Sequence, residues 1–267
     1  MNGRLFLQTL RWQRVRLVIV VLAGFGWGML IPVFYGAFSD MMRDLANSGA
    51  FPPELLNFGS GSLFTLPGAI TLGTQHPLAI AMVAIFAIGS TATAVAGERA
   101  RGTLEVLLAR PISRLTLYVS ILVAMLVAVL LVIGAIIGGM VAGSAIQGLT
   151  DELDLGQLPL VLLNGFGLWA AFTTFGLAAS ITFDRPGPAI GLSLAYLVIN
   201  YFFEILGSLW ADAAWTQDYS LFHHFNPGAI LGGEAALLDL VIVLVAAIVP
   251  VIYAIIVFPR RDLAAPA

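Results

Sequence analysis

No cysteine and no lysine occur in the 267 residues. The first absence excludes disulfides, thiolate metal sites and cysteine nucleophiles, and says nothing about redox compartment. The second excludes a P-loop, whose lysine must reach the nucleotide phosphates. It also excludes a Schiff-base lysine. All 12 basic residues are arginine. Charge of either sign is scarce, at 10% of residues, where soluble domains carry about 25%. Hydrophobic residues reach 60% and mean hydropathy is +0.98. So little polar surface cannot cover a folded chain in water, and the bilayer becomes the solvent. No nucleic-acid partner is expected.

A spanning helix needs about 20 mostly apolar residues. Six stretches qualify: Leu17–Phe38, Pro77–Ala96, Leu115–Ile146, Pro159–Phe183, Pro188–Leu209 and Leu237–Phe258. The expected class is an all-α integral membrane protein, one six-helix domain over residues 1–267. The first stretch is too long for a cleaved signal peptide and reads as a retained span. No internal repeat is visible, which disfavours an inverted-repeat transporter.

Arginine placement predicts topology. Arg4, Arg11, Arg14 and Arg16 precede the first span, and Arg99, Arg101, Arg110 and Arg114 lie between the second and third. Arg185 lies between the fourth and fifth, and Arg260 and Arg261 follow the sixth. These alternate segments hold 11 arginines, and the other loops only Arg43. The positive-inside rule then puts both termini in the cytoplasm of a cell-membrane protein. The longest loop, Ser39–His76, is expected to hold short helical pieces at the outer surface.

Residues Arg4–Arg16 alternate basic and apolar side chains. On a helix they form an amphipathic element in the membrane interface, with Arg11, Arg14 and Arg16 reaching lipid phosphates. A plain positive-inside anchor explains the same residues.

The loop after the second span reads Gly97-Glu98-Arg99-Ala100-Arg101-Gly102-Thr103-Leu104-Glu105-Val106-Leu107-Leu108-Ala109-Arg110-Pro111-Ile112-Ser113-Arg114. Thr103 can cap a short helix. Leu104, Leu107 and Leu108 then share one face. Pro111 stops that helix, and Ser113 can cap the third span. A short helix with an apolar face suits docking onto a soluble partner; packing on its own bundle is the alternative.

This loop resembles the one between the second and third spans in the type-2 family of ABC-transporter permeases. The motif residues are Glu98, Gly102-Thr103-Leu104-Glu105, Leu107-Leu108-Ala109 and Pro111-Ile112-Ser113-Arg114. The likeness extends to six spans and a basic N-terminal helix. Residues Ser220–Pro227 resemble the family's outer re-entrant region between spans five and six. The resemblance implies that Glu98, Arg101, Gly102, Thr103, Leu104, Glu105, Leu107, Leu108, Pro111 and Arg114 form or flank a coupling helix. That helix would dock an ABC ATP-binding subunit. It further implies two such subunits, which bind ATP and Mg, and a second permease protomer, identical or not. No ATP-binding domain is fused within these residues and no cofactor is expected on this chain. The implied activity is ATP-driven export.

Glu204 is the one acid well inside a predicted span, roughly 24 Å along it. It is a candidate substrate-pathway residue, or a solvated group at the outer mouth. Asn164 and Asn200 are candidate pathway residues or interhelical polar contacts. His223 and His224 are adjacent and point apart on a helix, so no metal site is expected. Gly134, Gly138, Gly139 and Gly143 allow close helix approach within one protomer or across a dimer. A secondary transporter or channel would need more intramembrane ionisable groups than Glu204. A membrane-embedded enzyme would need a catalytic cluster, and no H-E-x-x-H motif is present.

Overall fold

The computed structural model describes residues 1–48, 57–58, 61–62, 65–104, 109, 112–234 and 237–261. Among them, five helices are long and apolar enough to cross a membrane, or six if one bent pair counts as a single span.

Helix α1 runs from Gly3 to Asn47, 45 residues, or about 67 Å at 1.5 Å per residue. That is over twice the ~30 Å hydrocarbon core. The basic stretch and the first span are therefore one rod, and not an interface helix followed by a separate span. Residues 4–23 contain no glycine or proline, so nothing interrupts the helix between its arginines and its apolar run. Pro32 lies inside it, as membrane helices tolerate.

The second span is the main departure from expectation. Its helix, Pro77–Thr91 (α3), has only 15 residues, about 22 Å. It follows Leu66–Thr74 (α2) at a bend of 48°. Pro77 has no N–H to continue an α2 ladder, and restricts His76 to extended backbone. His76 accordingly has φ −63 and ψ 138 and caps α3 through its ring. Helix α2 packs into the bundle: Leu66 and Ile70 are fully buried. Two two-residue strands, Asn57–Phe58 (β1) and Gly61–Ser62 (β2), pair antiparallel before it.

A turn at residues 92–95 leads into a five-residue helix, Ala96–Ala100 (α4). The remaining spans match expectation closely: Arg114–Gln147 (α5), Leu158–Thr182 (α6), Pro186–Leu209 (α7) and Leu237–Val257 (α9). Ser113 caps α5 by accepting from the Thr116 N–H at 3.1 Å, and Gly148 ends it in a left-handed turn at φ +68. Between α7 and α9 lie a 3-10 helix, Ala211–Tyr219, and a short helix, Pro227–Leu231 (α8).

Helix α6 sits at the centre, packed on α3, α5, α7 and α9. Helix α1 packs along α5, with backbones in contact. A methyl group at Gly139 would overlap the Phe25 carbonyl, and one at Gly143 the Met29 carbonyl. The space around Gly134 is open. Gly139 and Gly143 of the glycine stripe are thus used within one protomer. Apolar residues on the outward faces of α1, α7 and α9 remain exposed, as lipid-facing helices require.

Contacts between distant residues trace the path. The Ser90 hydroxyl donates to Gln13 Oε1 at 3.3 Å, and the Trp27 ring stands 5.3 Å from that of His76. Helix α3 therefore returns antiparallel along α1. The Asn2 N–H donates to Ser120 Oγ at 2.8 Å, and Arg114 donates to the Pro259 carbonyl at 3.4 Å. The arginine-bearing segments so gather at one end of the bundle. At the opposite end, the Asp154 N–H donates to the Leu231 carbonyl at 3.1 Å.

Candidate functional site

At the arginine-rich end, α4 is pinned to α6. The Val95 and Ala96 N–H groups share Ser180 Oγ at 2.9 and 3.0 Å. Gly102 then turns the chain at φ +70, a conformation that glycine adopts without a Cβ penalty. Ala100, Arg101, Gly102 and Thr103 form an exposed crest. Thr103 has helical backbone, and its hydroxyl points back to the Glu98 carbonyl at 3.1 Å and to the Glu98 carboxylate. Glu98 also pairs with Arg101.

Leu104 does not join that crest. It is 2% exposed and packs in a cluster with Val95, Leu117, Tyr118, Leu177 and Phe258. The leucine face expected for docking therefore begins with a residue that holds the loop to its own bundle. Glu105, Leu107, Leu108 and Pro111 lie outside the described residues.

A charge cluster lies beside this loop. Arg99 Nη1 is 2.6 Å from Asp184 Oδ1. Arg261, just past α9, binds the same carboxylate and the Ile181 carbonyl. Arg114 Nη1 donates to the Arg261 carbonyl. Asp184 lies in the tight turn between α6 and α7, and nothing in its local sequence singles it out beyond being an acid among arginine-rich segments.

Arg11, Arg14 and Arg16 are all exposed. Arg16 also donates to Ser90 Oγ at 3.2 Å.

Between α3 and α7 runs an open groove of about 580 Å³. Ile80, Ala84, Ile88, Ile190, Leu194 and Leu197 line it, with Arg16 and Tyr201 also in its wall. Its apolar walls and one guanidinium suit an amphiphile with an acidic group.

Glu204, Asn200 and Asn164 do not line this groove. All three are buried, and all three hold the chain between α7 and α8. Gln217 Nε2 donates to Glu204 Oε1 at 3.1 Å and to Ser208 Oγ at 3.2 Å. His223 Nδ1 lies 3.7 Å from Glu204 Oε2. Asn200 Oδ1 accepts from the Leu221 N–H at 2.9 Å, and its carbonyl accepts from Ser220 Oγ at 2.8 Å. Asn164 Nδ2 donates to the His224 carbonyl at 2.9 Å. Asn200 lies about 14 Å down α7 from Leu209, so residues 220–225 reach well into the bundle. Phe222 is their apolar anchor, 1% exposed. Its ring stacks on Phe172 at 5.6 Å and meets Tyr201 edge-on at 5.5 Å. Tyr201 thus touches the groove on one side and the inserted segment on the other. Gln217 and Phe222 were not singled out from sequence, because only the fold brings them to their partners.

Among the described residues, no group of three His, Cys, Asp or Glu side chains could hold a metal ion. His223 and His224 do point apart, toward Glu204 and Asp239 respectively.

The family described as ABC-2 family transporter protein matches residues 6–263. No curated protein matches the chain.

Proposed function

Because the chain belongs to the ABC-2 transporter family, we propose that it is the permease subunit of an ATP-driven exporter, powered by a separate ATP-binding subunit. The observation that carries this reading is the family match over nearly the whole chain. The absence of any lysine agrees with it: a Walker A site has to lie outside these residues. Two permease protomers, each with an ATPase chain, would enclose the pathway. ATP and Mg would sit in those partners.

In this reading the bent α2–α3 pair counts as one span, the chain crosses six times, and both termini lie in the cytoplasm. The gathering of arginine segments at one end supports that topology. The crest at Ala100–Thr103 is then the surface offered to the ATPase.

Force from the crest has two routes into the groove. Helix α4 connects through a short turn to α3, one groove wall. Arg99 is tied to Asp184, two residues before Pro186 opens α7, the other wall. Closure of the ATPase pair would push both routes at once and change the spacing of the walls. Arg16 would meet the acidic group of an amphipathic cargo. Residues 220–225 would form the outer re-entrant plug, linked to the groove through Phe222 and Tyr201.

The test is reconstitution. The chain is co-expressed with the ATPase encoded beside it, purified as a complex and placed in liposomes. We expect a stable complex whose ATP hydrolysis depends on the permease and whose cargo moves away from the ATPase side. Failure of the two chains to co-purify, or cargo movement without ATP, would overturn the reading.

A further inference from the structure

A second recess opens at the arginine-rich end, between the first turns of α1, the end of α3, α4 and the start of α5. Its volume is about 430 Å³, the size of a small-molecule site. It shares no lining residue with the groove between α3 and α7.

The recess is elongated. Arg4 and Gln13 both line it, and they lie about 13 Å apart along α1. Helix α5 lays Leu117, Ile121 and Met125 beside them. Their four-residue spacing makes one apolar stripe that runs from the arginine-bearing end toward the bundle. Trp12 also lines the recess and is 62% exposed; indole rings favour headgroup depth.

The polar groups left over are donors. Arg4 is exposed, and its guanidinium has no partner among the described residues. Gln13 is oriented by a chain of bonds. Arg16 Nη1 donates to Ser90 Oγ, and Ser90 Oγ lies 3.3 Å from Gln13 Oε1. A guanidinium cannot accept, so the hydroxyl hydrogen goes to Gln13. The amide oxygen therefore faces Ser90, and Nε2 keeps its N–H groups to give. Nε2 has no partner among the described residues, and it is not sealed from its surroundings as Asn164 Oδ1 and Glu204 Oε2 are. Glu98 is the acid in the lining, and Arg101 and the Thr103 hydroxyl already hold it. On α1 no acid precedes Asp40.

Such a site calls for a long ligand: a negative group at the Arg4 end, acceptors deeper in, and an apolar tail. A free phosphate would use neither Gln13 nor the stripe. A headgroup that ends in an ammonium would face Arg4 and Arg101 with no unpaired carboxylate to meet it.

We propose that this recess binds one acidic glycerophospholipid. The phosphate meets Arg4, the ester oxygens accept from Gln13 Nε2, and an acyl chain lies on Ile121 and Met125. The lipid so bridges α1 and α4, the helix that leads into the exposed crest. Binding requires neither an ATPase nor transport, so the proposal stands apart from the permease reading.

The experiment uses the full chain in mild detergent at about 0.3 M salt, which screens charges beyond close contact. Phosphatidylglycerol, phosphatidylcholine and phosphatidylethanolamine with matched chains are titrated in turn, beside sn-glycerol 3-phosphate. Native mass spectrometry counts the lipid retained, and thermal unfolding reads Tm. We expect one phosphatidylglycerol to be retained about ten-fold more tightly than either zwitterionic lipid, and to raise Tm. Glycerol phosphate should be silent. Arg4→Gln should weaken retention about five-fold. Gln8→Trp, at an exposed position in the lining, keeps every charge and fills the recess, and should abolish retention. The double variant Arg11→Gln/Arg14→Gln removes two exposed arginines outside the lining and should retain the lipid as the parent does. Equal retention of phosphatidylglycerol and phosphatidylcholine overturns the proposal. So does glycerol phosphate matching the lipid, retention unchanged in Arg4→Gln or Gln8→Trp, or an equal loss in the Arg11/Arg14 double variant, which would mark surface charge and not a site.

Discussion

Arg99 and Asp184 form an ion pair at 2.6 Å that joins the start of the docking loop to the turn before α7. The Arg99 side chain is 10% exposed and that of Asp184 is 49% exposed. Arg261 completes the cluster from the end of α9. One carboxylate so connects three segments that lie far apart in the chain.

Asp184→Asn keeps the shape and removes the charge. Half-exposure screens the pair, so stability should fall by about 1–2 kcal/mol, measured as the shift in Tm. In the reconstituted complex, ATP hydrolysis should persist while cargo moved per ATP drops. Asp184→Glu should recover part of the loss. Unchanged transport per ATP in the Asn variant would remove this pair from the force route.

Leu104 and Arg101 should separate folding from docking. Leu104→Asp puts a charge into a packed cluster and should cost more than about 3 kcal/mol, so that little folded protein is recovered. Arg101→Ala loses only an exposed pair with Glu98, worth about 0.5 kcal/mol at most. It should keep its Tm and capture less ATPase on co-purification. Equal behaviour of the two variants would contradict the burial assigned to Leu104.

The glycine stripe allows a matched comparison. Gly139→Ala or Gly143→Ala would push a methyl group into the α1 backbone, with an expected loss of about 1–3 kcal/mol. Gly134→Ala faces open space and should stay within about 0.5 kcal/mol. Thermal unfolding in detergent reads all three.

Asn200→Leu should release the inserted segment. It leaves the Leu221 N–H without its acceptor, at a cost of about 1–3 kcal/mol. Hydrogen exchange at Leu221 and Phe222 should accelerate. Glu204→Gln can still accept from Gln217, and should leave exchange in that segment close to the parent's.

The absence of cysteine makes topology directly testable. Single cysteines at Ala100 and Asp212, both exposed, should react from opposite sides. Ala100→Cys should label with an impermeant maleimide only in inverted membrane vesicles, and Asp212→Cys in intact cells. Labelling of both from one side would refute the proposed topology.

Where the sequence carried long apolar runs, it was legible almost to the residue. The third span, read as Leu115–Ile146, is Arg114–Gln147, because Ser113 and Gly148 mark its ends by local chemistry. Local chemistry also marked the break at Pro77, since that proline stood at the head of a predicted span. It did not reveal that α2 would fold back into the bundle, since the Gly228 N–H that meets Thr71 Oγ1 at 2.9 Å comes from the other end of the chain. The same limit hid the role of Asp184. Glu204 and Asn200 were legible as unusual residues in a span, but their partners lie on the segment after it, which only tertiary structure brings home.

Helix α1 has a consequence for movement. From Gly3 to Pro32 it offers about 44 Å of uninterrupted helix, with Gly28 resting against the α5 backbone. Its arginine-bearing end is bonded to the bundle as well, through Asn2 to Ser120 and through Gln13 and Arg16 to Ser90. A stiff rod tied at both places cannot shift at one without loading the other. Adjustments between α1 and α5 deep in the bundle would thus be felt at α3 and at the start of α5, beside the arginines.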